Sequence, residues 1–373
     1  AADRAPALRA LGLPGQPMSG SRRARILGFG AGWLVLITVL HLSLNMDWAA
    51  FLNEYLEPED RKLVVGFIPV TCHLACPVTD YISKHTADGT VLIPRMFQGF
   101  PEIKEALISG KMQAGFLVAP LAVALVSQGI PIKIVYLGHR YGSAVVVQKD
   151  GPVHSVEDLR GKTIAIPSRF SDERLLVLRA LKQHGMSFDD VKLVEMSPPD
   201  VSGALAVKAI DGFSMGEPFP SQAEMGGWGR VLFHAREYWP DYMSCVLVVR
   251  EDVIEHQTQA VQVMVDGIAR SGLWLDEGRP HREYAADFVG RFYYNQAPRL
   301  LRWALTNPLD RVWYEPLTPR KADFELVQNL MVETGILDAD KVMPFERFVD
   351  IRFAEGAMAE TAWTFEPGDD TAR

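Results

Sequence analysis

Four short stretches of the chain bring together groups that could do chemistry. The first is Pro69-Val70-Thr71-Cys72-His73-Leu74-Ala75-Cys76-Pro77, which sets two thiols four residues apart with an imidazole between them. A thiol at a helix N-terminus loses its proton more readily, so Cys72, His73 and Cys76 are candidates for a metal or redox site. Their Cys-x-x-x-Cys spacing is not the Cys-x-x-Cys of common zinc sites, and in an oxidising compartment the two thiols could pair with each other. Direct ligand contact by Thr71 or His73, or plain packing of small side chains, accounts for the same residues. The second stretch is Ser168-Arg169-Phe170-Ser171: Ser171 suits a helix N-cap, with Asp172 and Glu173 in the first turn. Backbone N–H groups there could hold an anion that Arg169 grips bidentately; a solvent-exposed or salt-bridged arginine is the alternative. The third, His139-Arg140-Tyr141-Gly142, offers a cation and an aromatic ring to an anionic or aromatic ligand, or else a structural pair. The fourth is Glu217 before Pro218, a carboxylate able to help hold a metal ion or a protonated group, or to cap a buried helix. Cys245 sits in an apolar run and reads as core, and His154, His184, His256 and His281 are isolated surface residues. No Gly-rich phosphate loop, Gly-x-Ser-x-Gly elbow or His-Glu-x-x-His helix is present, which argues against an enzyme and predicts no cofactor.

Elements must position these groups. The chain has 373 residues, 48% of them hydrophobic and 10% aromatic, enough for a sizeable core. Its net charge of −8 argues against nucleic acid as a partner, and three cysteines are too few for a disulfide scaffold. From residue 63 onward, short apolar runs alternate with helical patterns. Strands are expected at 63–70, 91–97, 114–118 and 132–137, with helices at 71–85 (Thr71 its N-cap), 102–109 and 120–127. This order argues for a parallel sheet covered by helices. After a strand at 143–149 and a break at Asp150-Gly151-Pro152, a second set follows: strands at 163–166, 192–196 and 212–215, helices at 172–184 and 201–209. The run at 245–250 repeats the texture of 144–149, and both read as crossings between one lobe and a second lobe inserted into it. Residues 255–355 are helical and amphipathic.

The N-terminal part differs. Arg22, Arg23 and Arg25 precede residues 26–46, which contain no Asp, Glu, Lys or Arg. At 1.5 Å per residue this run spans about 30 Å, the thickness of a bilayer core. The arginines keep the preceding residues cytoplasmic and send the rest outward; a cleaved signal peptide is the alternative. The expected organisation is a cytoplasmic tail over 1–25, a transmembrane anchor over 26–46 and a tether over 47–60. The first lobe covers 61–150, the second 151–241, the return of the first lobe with its helices 242–357, and a flexible tail 358–373.

Asp158-Leu159-Arg160-Gly161-Lys162-Thr163-Ile164-Ala165-Ile166-Pro167 resembles a signature of periplasmic solute-binding proteins, and Asp189-Asp190-Val191, Ser197-Pro198-Pro199-Asp200 and Asp211-Gly212-Phe213 follow at matching spacing. The set is similar to the nitrate/sulfonate/taurine branch of ABC-importer binding proteins. Gly216-Glu217-Pro218-Phe219 and Ala235-Arg236-Glu237-Tyr238-Trp239-Pro240-Asp241 resemble its nitrate/bicarbonate sub-branch. The resemblance covers about residues 63–348. It implies an α/β, type II periplasmic-binding-protein fold whose two lobes, joined by two crossing strands, close by a hinge motion on a small, anionic solute and pass it to a membrane permease. It places the loops of Thr71 and His73, of Gln98, of Arg140 and Tyr141, of Ser168 and Arg169, and Glu217 at the cleft. The partners so implied are a small-molecule solute, an ABC permease and, through the N-terminal helix, the inner membrane, with the soluble part in the periplasm. The same fold family also resembles thiamine pyrimidine-precursor synthases, whose dense cysteine run is missing here. A ligand sensor working through another membrane partner is a third reading.

Overall fold

The computed structural model describes residues 20–46, 48–53, 55–56, 61–87, 89–314 and 317–368. The expected tail before residue 20, residues 47, 54 and 57–60 of the tether, and residues 369–373 lie outside them. The chain divides into two units between Tyr55 and Leu56. In the first, α1 (Gly20–Asn45) precedes the short α2 (Trp48–Asn53). The part of α1 from Ala24 to Asn45 is long and apolar enough to cross a membrane, and its side chains are exposed. Polar side chains near its end are satisfied along the helix, Ser43 Oγ donating to the Leu40 carbonyl and Asn45 Nδ2 to the His41 carbonyl, each at 2.9 Å.

The second unit opens with β1 (Val64–Phe67), α3 (Ala75–Lys84), β2 (Ile93–Met96), α4 (Phe100–Ile108), β3 (Ala114–Val118), α5 (Ala119–Ser127), β4 (Ile132–Leu137) and the two-residue β5 (Arg140–Tyr141). Next come β6 (Ser143–Gln148), β7 (Thr163–Ile166), α6 (Asp172–Gln183), β8 (Lys192–Glu195), α7 (Pro198–Ala206), β9 (Gly212–Gly216), α8 (Phe219–Gly226), β10 (Gly229–His234) and α9 (Ala235–Tyr238). The chain returns through β11 (Cys245–Arg250), α10 (Glu251–His256), α11 (Thr258–Asp276), α12 (Arg279–Val289), α13 (Pro298–Thr306), β12 (Val312–Trp313), α14 (Lys321–Glu333), α15 (Phe345–Phe348) and α16 (Arg352–Ala357). Proline in the first turn opens α4, α5, α7 and α8 at the position where its missing N–H is not needed. Ser171 caps α6, accepting from Arg174 N–H at 3.2 Å.

Two five-stranded sheets result, ordered β2-β1-β3-β11-β4 and β10-β6-β9-β7-β8. Strands β3, β4, β6 and β11 are apolar and buried almost throughout, as strands covered on both faces must be. This is the expected two-lobed α/β architecture, with three corrections. The first sheet is mixed, not parallel: β11 inserts antiparallel between β3 and β4, because the chain re-enters this lobe from the other one rather than through a helical crossover. Residues 143–148, assigned to the first lobe as a crossing strand, belong to the second sheet, paired with β9 and β10. The crossings themselves are short: Tyr141 N–H donates to the Tyr242 carbonyl at 3.1 Å and Ser244 N–H to that of His139 at 3.1 Å, and β5 also pairs with β12. Third, Thr71 does not cap a helix; a single 3-10 turn (Thr71–His73) comes first and α3 starts at Ala75.

The C-terminal segment expected to be flexible packs down as far as residue 365. Trp363 and Phe365 are buried, Trp363 Nε1 donates to Ser271 Oγ at 2.9 Å, and Trp274 Nε1 donates to the Phe365 carbonyl at 2.6 Å. Arg270 lies over the Trp363 ring at 3.7 Å. Two aromatic anchors within an otherwise polar run are enough to bury it. Trp363→Ala is therefore expected to lower the unfolding free energy by about 3–5 kcal/mol, measured by urea denaturation; an effect under about 0.5 kcal/mol would mean that the segment is not docked.

Candidate functional site

A cavity of about 490 Å³ opens between the two lobes. Its walls are the loops after β1 and β2 (Ile68, Gln98), the first turn of α4 (Phe100, Glu102) and Leu121 on one side, and the loops after β7 and β8 (Ser168, Arg169, Phe170, Ser197) on the other. These are the carboxyl ends of parallel strands in both sheets, where α/β folds bind ligands. Of the residues expected at the cleft, Gln98, Ser168 and Arg169 line it. The backbone amides beside them are already engaged: Phe170 N–H donates to Ser168 Oγ at 3.0 Å and Ser171 N–H to the Ser168 carbonyl at 3.2 Å. Gln98 and Gly99 N–H both donate to Glu102 Oε2. The Arg169 guanidinium lies over Phe170 at 5.0 Å and has no ion-pair partner among the described residues, so the positive charge on this wall of the cavity is a side-chain one. Lys104, Glu102 and Glu195 make the rest of the rim mixed in sign.

The other expected contacts lie below the cavity or in the hinge, and two are corrections. Arg140, expected to meet the solute, is buried and ion-paired: Nη2 donates to Asp323 Oδ2 at 3.0 Å and Nη1 to the Asp241 carbonyl at 2.9 Å. Glu217 is buried too, and Arg311 Nη1 donates to its Oε1 at 2.6 Å. A buried charge must be matched by another, and Arg311, 94 positions away, gives no signal of this in the sequence. Tyr141 sits half-buried in β5 with the left-handed φ of 64°, its ring edge-on to Trp313 at 5.9 Å. Thr71 is buried between the lobes: its N–H donates to the Glu217 carbonyl at 3.0 Å, and its Oγ1 is 2.9 Å from His139 Nε2. His73 stacks on Phe116 at 4.9 Å.

The expected trio of Cys72, His73 and Cys76 is not what folding assembles. Cys245 joins Cys72 and His73, their ligand atoms all within 4.8 Å of one another, and Cys76 is buried apart from that group. Burial raises both thiols of the close pair, but the hydrogen bond from Cys245 then holds Cys72 low at the expense of Cys245.

Sequence reading missed a buried pair of acids at the start of α6. Asp172 Oδ2 accepts from Ala119 N–H, the first amide of α5 in the opposite lobe, at 3.2 Å. Glu173 Oε1 accepts from Ser143 Oγ at 3.2 Å, and Ser143 in turn accepts from the Tyr242 hydroxyl at 3.1 Å. Two adjacent acids in a first helical turn look like ordinary dipole partners; in the fold Asp172 reaches Ala119 of the opposite lobe, and Glu173 turns onto Ser143 in β6 of its own lobe. Burial pushes Glu173 up to about 7, and burial together with the Glu173 charge pushes Asp172 well above the carboxylate range. Burial pulls His139 down to about 4.

The sign of the pH effect follows. Between about pH 4.5 and 7, folded Glu173 keeps a proton that the unfolded chain has released, so stability is complete below that window and is lost as pH rises through it. Glu173→Gln should flatten the profile, wild type losing on the order of 2–3 kcal/mol relative to the variant between pH 4.5 and 7.5 at about 1.4 kcal/mol per unit. Urea denaturation across that range reads it, and parallel profiles would refute a buried, protonated Glu173.

Comparison with known proteins agrees with this architecture. The profile of the NMT1-like family matches residues 56–290. The taurine-binding periplasmic protein of Escherichia coli is 33% identical over 202 residues, 51% of this chain and 61% of that protein, so the chain spans about three fifths of its length. A nitrate/nitrite-binding protein of Nostoc is 23% identical over 265 residues, 64% of this chain and 59% of that protein. Among solved structures, the zinc-bound ligand-binding component of an ABC-type import system from Staphylococcus aureus superposes with a TM-score of 0.71 at 23% identity, covering 79% of this chain and 98% of that one. A desulfurization enzyme superposes less closely, with a TM-score of 0.56 at 15% identity over 80% of this chain and 98% of that one, so the fold by itself does not separate binding proteins from enzymes. The match spans most of the two-lobed unit, and the relatives named for a ligand are taurine-, sulfonate- and nitrate-binding proteins; the chain belongs to the NMT1-like family.

Proposed function

We propose that this chain is the extracytoplasmic solute-binding component of an ABC importer, tethered to the inner membrane by α1, and that it captures a small anion and delivers it to a permease. The observation that supports this most directly is the interlobe cavity, with Gln98 on one wall and Ser168 and Arg169 on the other. A solute there touches both lobes, so its binding free energy favours closure. Arg169 offers a planar, two-pronged donor suited to a sulfonate or nitrate oxygen pair, and Phe170 and Phe100 offer apolar surface to a short carbon chain. The names of the relatives, taurine, aliphatic sulfonate and nitrate, agree with that chemistry. The non-enzymatic reading draws support from the same relatives, and from a cavity whose nearest thiols are buried.

Two measurements test it. Isothermal calorimetry of the full chain in detergent, titrated with taurine, ethanesulfonate and nitrate, should find one saturable solute. Arg169→Ala should weaken that binding by about 10- to 100-fold, the worth of one charge-assisted hydrogen bond; binding of none of the three, or an unchanged Kd, would defeat the anion-binding reading. For the tether, the chain should stay in the membrane pellet through an alkaline carbonate wash. A soluble form starting near residue 49 would instead identify α1 as a cleaved signal.

A further inference from the structure

The loop after β1 holds a thiol for which solute capture has no use. Cys72 Sγ lies 2.9 Å from Cys245 Sγ, and the two residues are 173 positions apart. One belongs to the 3-10 turn below the cavity and the other begins β11. Gly138, just past β4, makes their approach possible. Its N–H donates to the Cys245 carbonyl at 2.6 Å, and a Cβ at this position would lie 2.3 Å from the Cys72 carbonyl oxygen. Only glycine lets the two cysteine backbones close on that strand end.

Two sulfurs and an imidazole this close could bind a metal or be oxidised, and the hydrogen bonding of His73 decides between them. Ile68 N–H, which can only donate, points at His73 Nδ1 at 2.9 Å. Nδ1 therefore spends its electron pair on Ile68, and the ring proton sits on Nε2, which has no pair left for a metal. Without the imidazole, two thiols fall short of the four ligands of a structural zinc site.

We propose that Cys72 and Cys245 form a disulfide in the mature protein, with Cys76 left as a thiol. In the reaction both S–H bonds break and one S–S bond forms. The two protons and two electrons pass to an incoming disulfide, that of an exported thiol–disulfide oxidase or of oxidised glutathione, which is reduced to two thiols. Both sulfurs are buried in the folded chain, so the exchange takes place while the chain folds. The cross-link ties Thr71, whose amide reaches the opposite lobe, to the start of β11 in its own lobe. Formation in the cell rests on the export proposed above, because the cytosol keeps such pairs reduced.

The test uses the full chain, purified without reductant, alkylated under denaturing conditions, digested and analysed by mass spectrometry. The expected result is a Cys72–Cys245 cross-linked peptide pair two hydrogens lighter than the free peptides, with Cys76 alone alkylated. Reduction should lower the Tm by roughly 5–10 °C. The reduced chain is also refolded in a glutathione redox buffer. A cross-link formed there but absent from the cell-derived chain supports the disulfide and overturns export. Three alkylated thiols in both samples, a Cys72–Cys76 cross-link, or zinc retained at one per chain and lost in Cys245→Ser overturns the disulfide. The mass assignment uses the wild-type chain, so a poorly folding variant does not affect it.

Discussion

The protein depends on how Glu217 is satisfied. Its amide donates to Gly142 in the hinge at 2.7 Å, and its carbonyl accepts from Thr71 of the other lobe at 3.0 Å. One carboxylate oxygen accepts from Arg311 at 2.6 Å and the other from the Ser221 amide at 3.2 Å. One residue thus joins the hinge, the second lobe, the loop beneath the cavity and the C-terminal return. A carboxylate this deep is tolerable only because a guanidinium and an amide replace its water. Removing Arg311 would leave a buried, unmatched charge at the meeting point of all four segments, which is why the long C-terminal part belongs to the binding unit.

Around that junction the lobes meet in two tiers. The inner tier is neutralised internally: Arg140 with Asp323, Glu217 with Arg311, and Asp172 and Glu173 held up by burial. The outer tier is the cavity, where Arg169 has no carboxylate partner among the described residues. This division separates the groups that hold the hinge geometry from the groups that can exchange water for a solute. It also places the Cys72–Cys245 contact in the inner tier, on the structural side of the site.

Much of the architecture is legible in the residues themselves. Short apolar runs such as 114–118 and 132–137, helix-opening prolines and the Ser171 cap act within a few positions, and local physics is enough to read them. The strand order is not local. That β11 lies between β3 and β4 depends on the chain re-entering the first lobe, and its valines would suit any buried strand. Nor does a polar tail from 358 onward reveal that Trp363 and Phe365 find Ser271 and Trp274 about 90 positions earlier.

The cleft divides in the same way. Gln98, Ser168 and Arg169 follow strands directly, and a residue just past the carboxyl end of a parallel strand faces the cleft whatever the rest of the chain does. Arg140 and Glu217 stand at equally suggestive places, yet their partners Asp323 and Arg311 arrive from the C-terminal region, 183 and 94 positions away. Sequence alone determined the alternation of strands and helices, the apolar N-terminal helix, and the strand-end residues that can meet a solute. The tertiary structure decided which charges are already matched and which cysteines meet. Ion pairing and sulfur contact depend on distances of a few ångströms between segments whose separation along the chain carries no information about them.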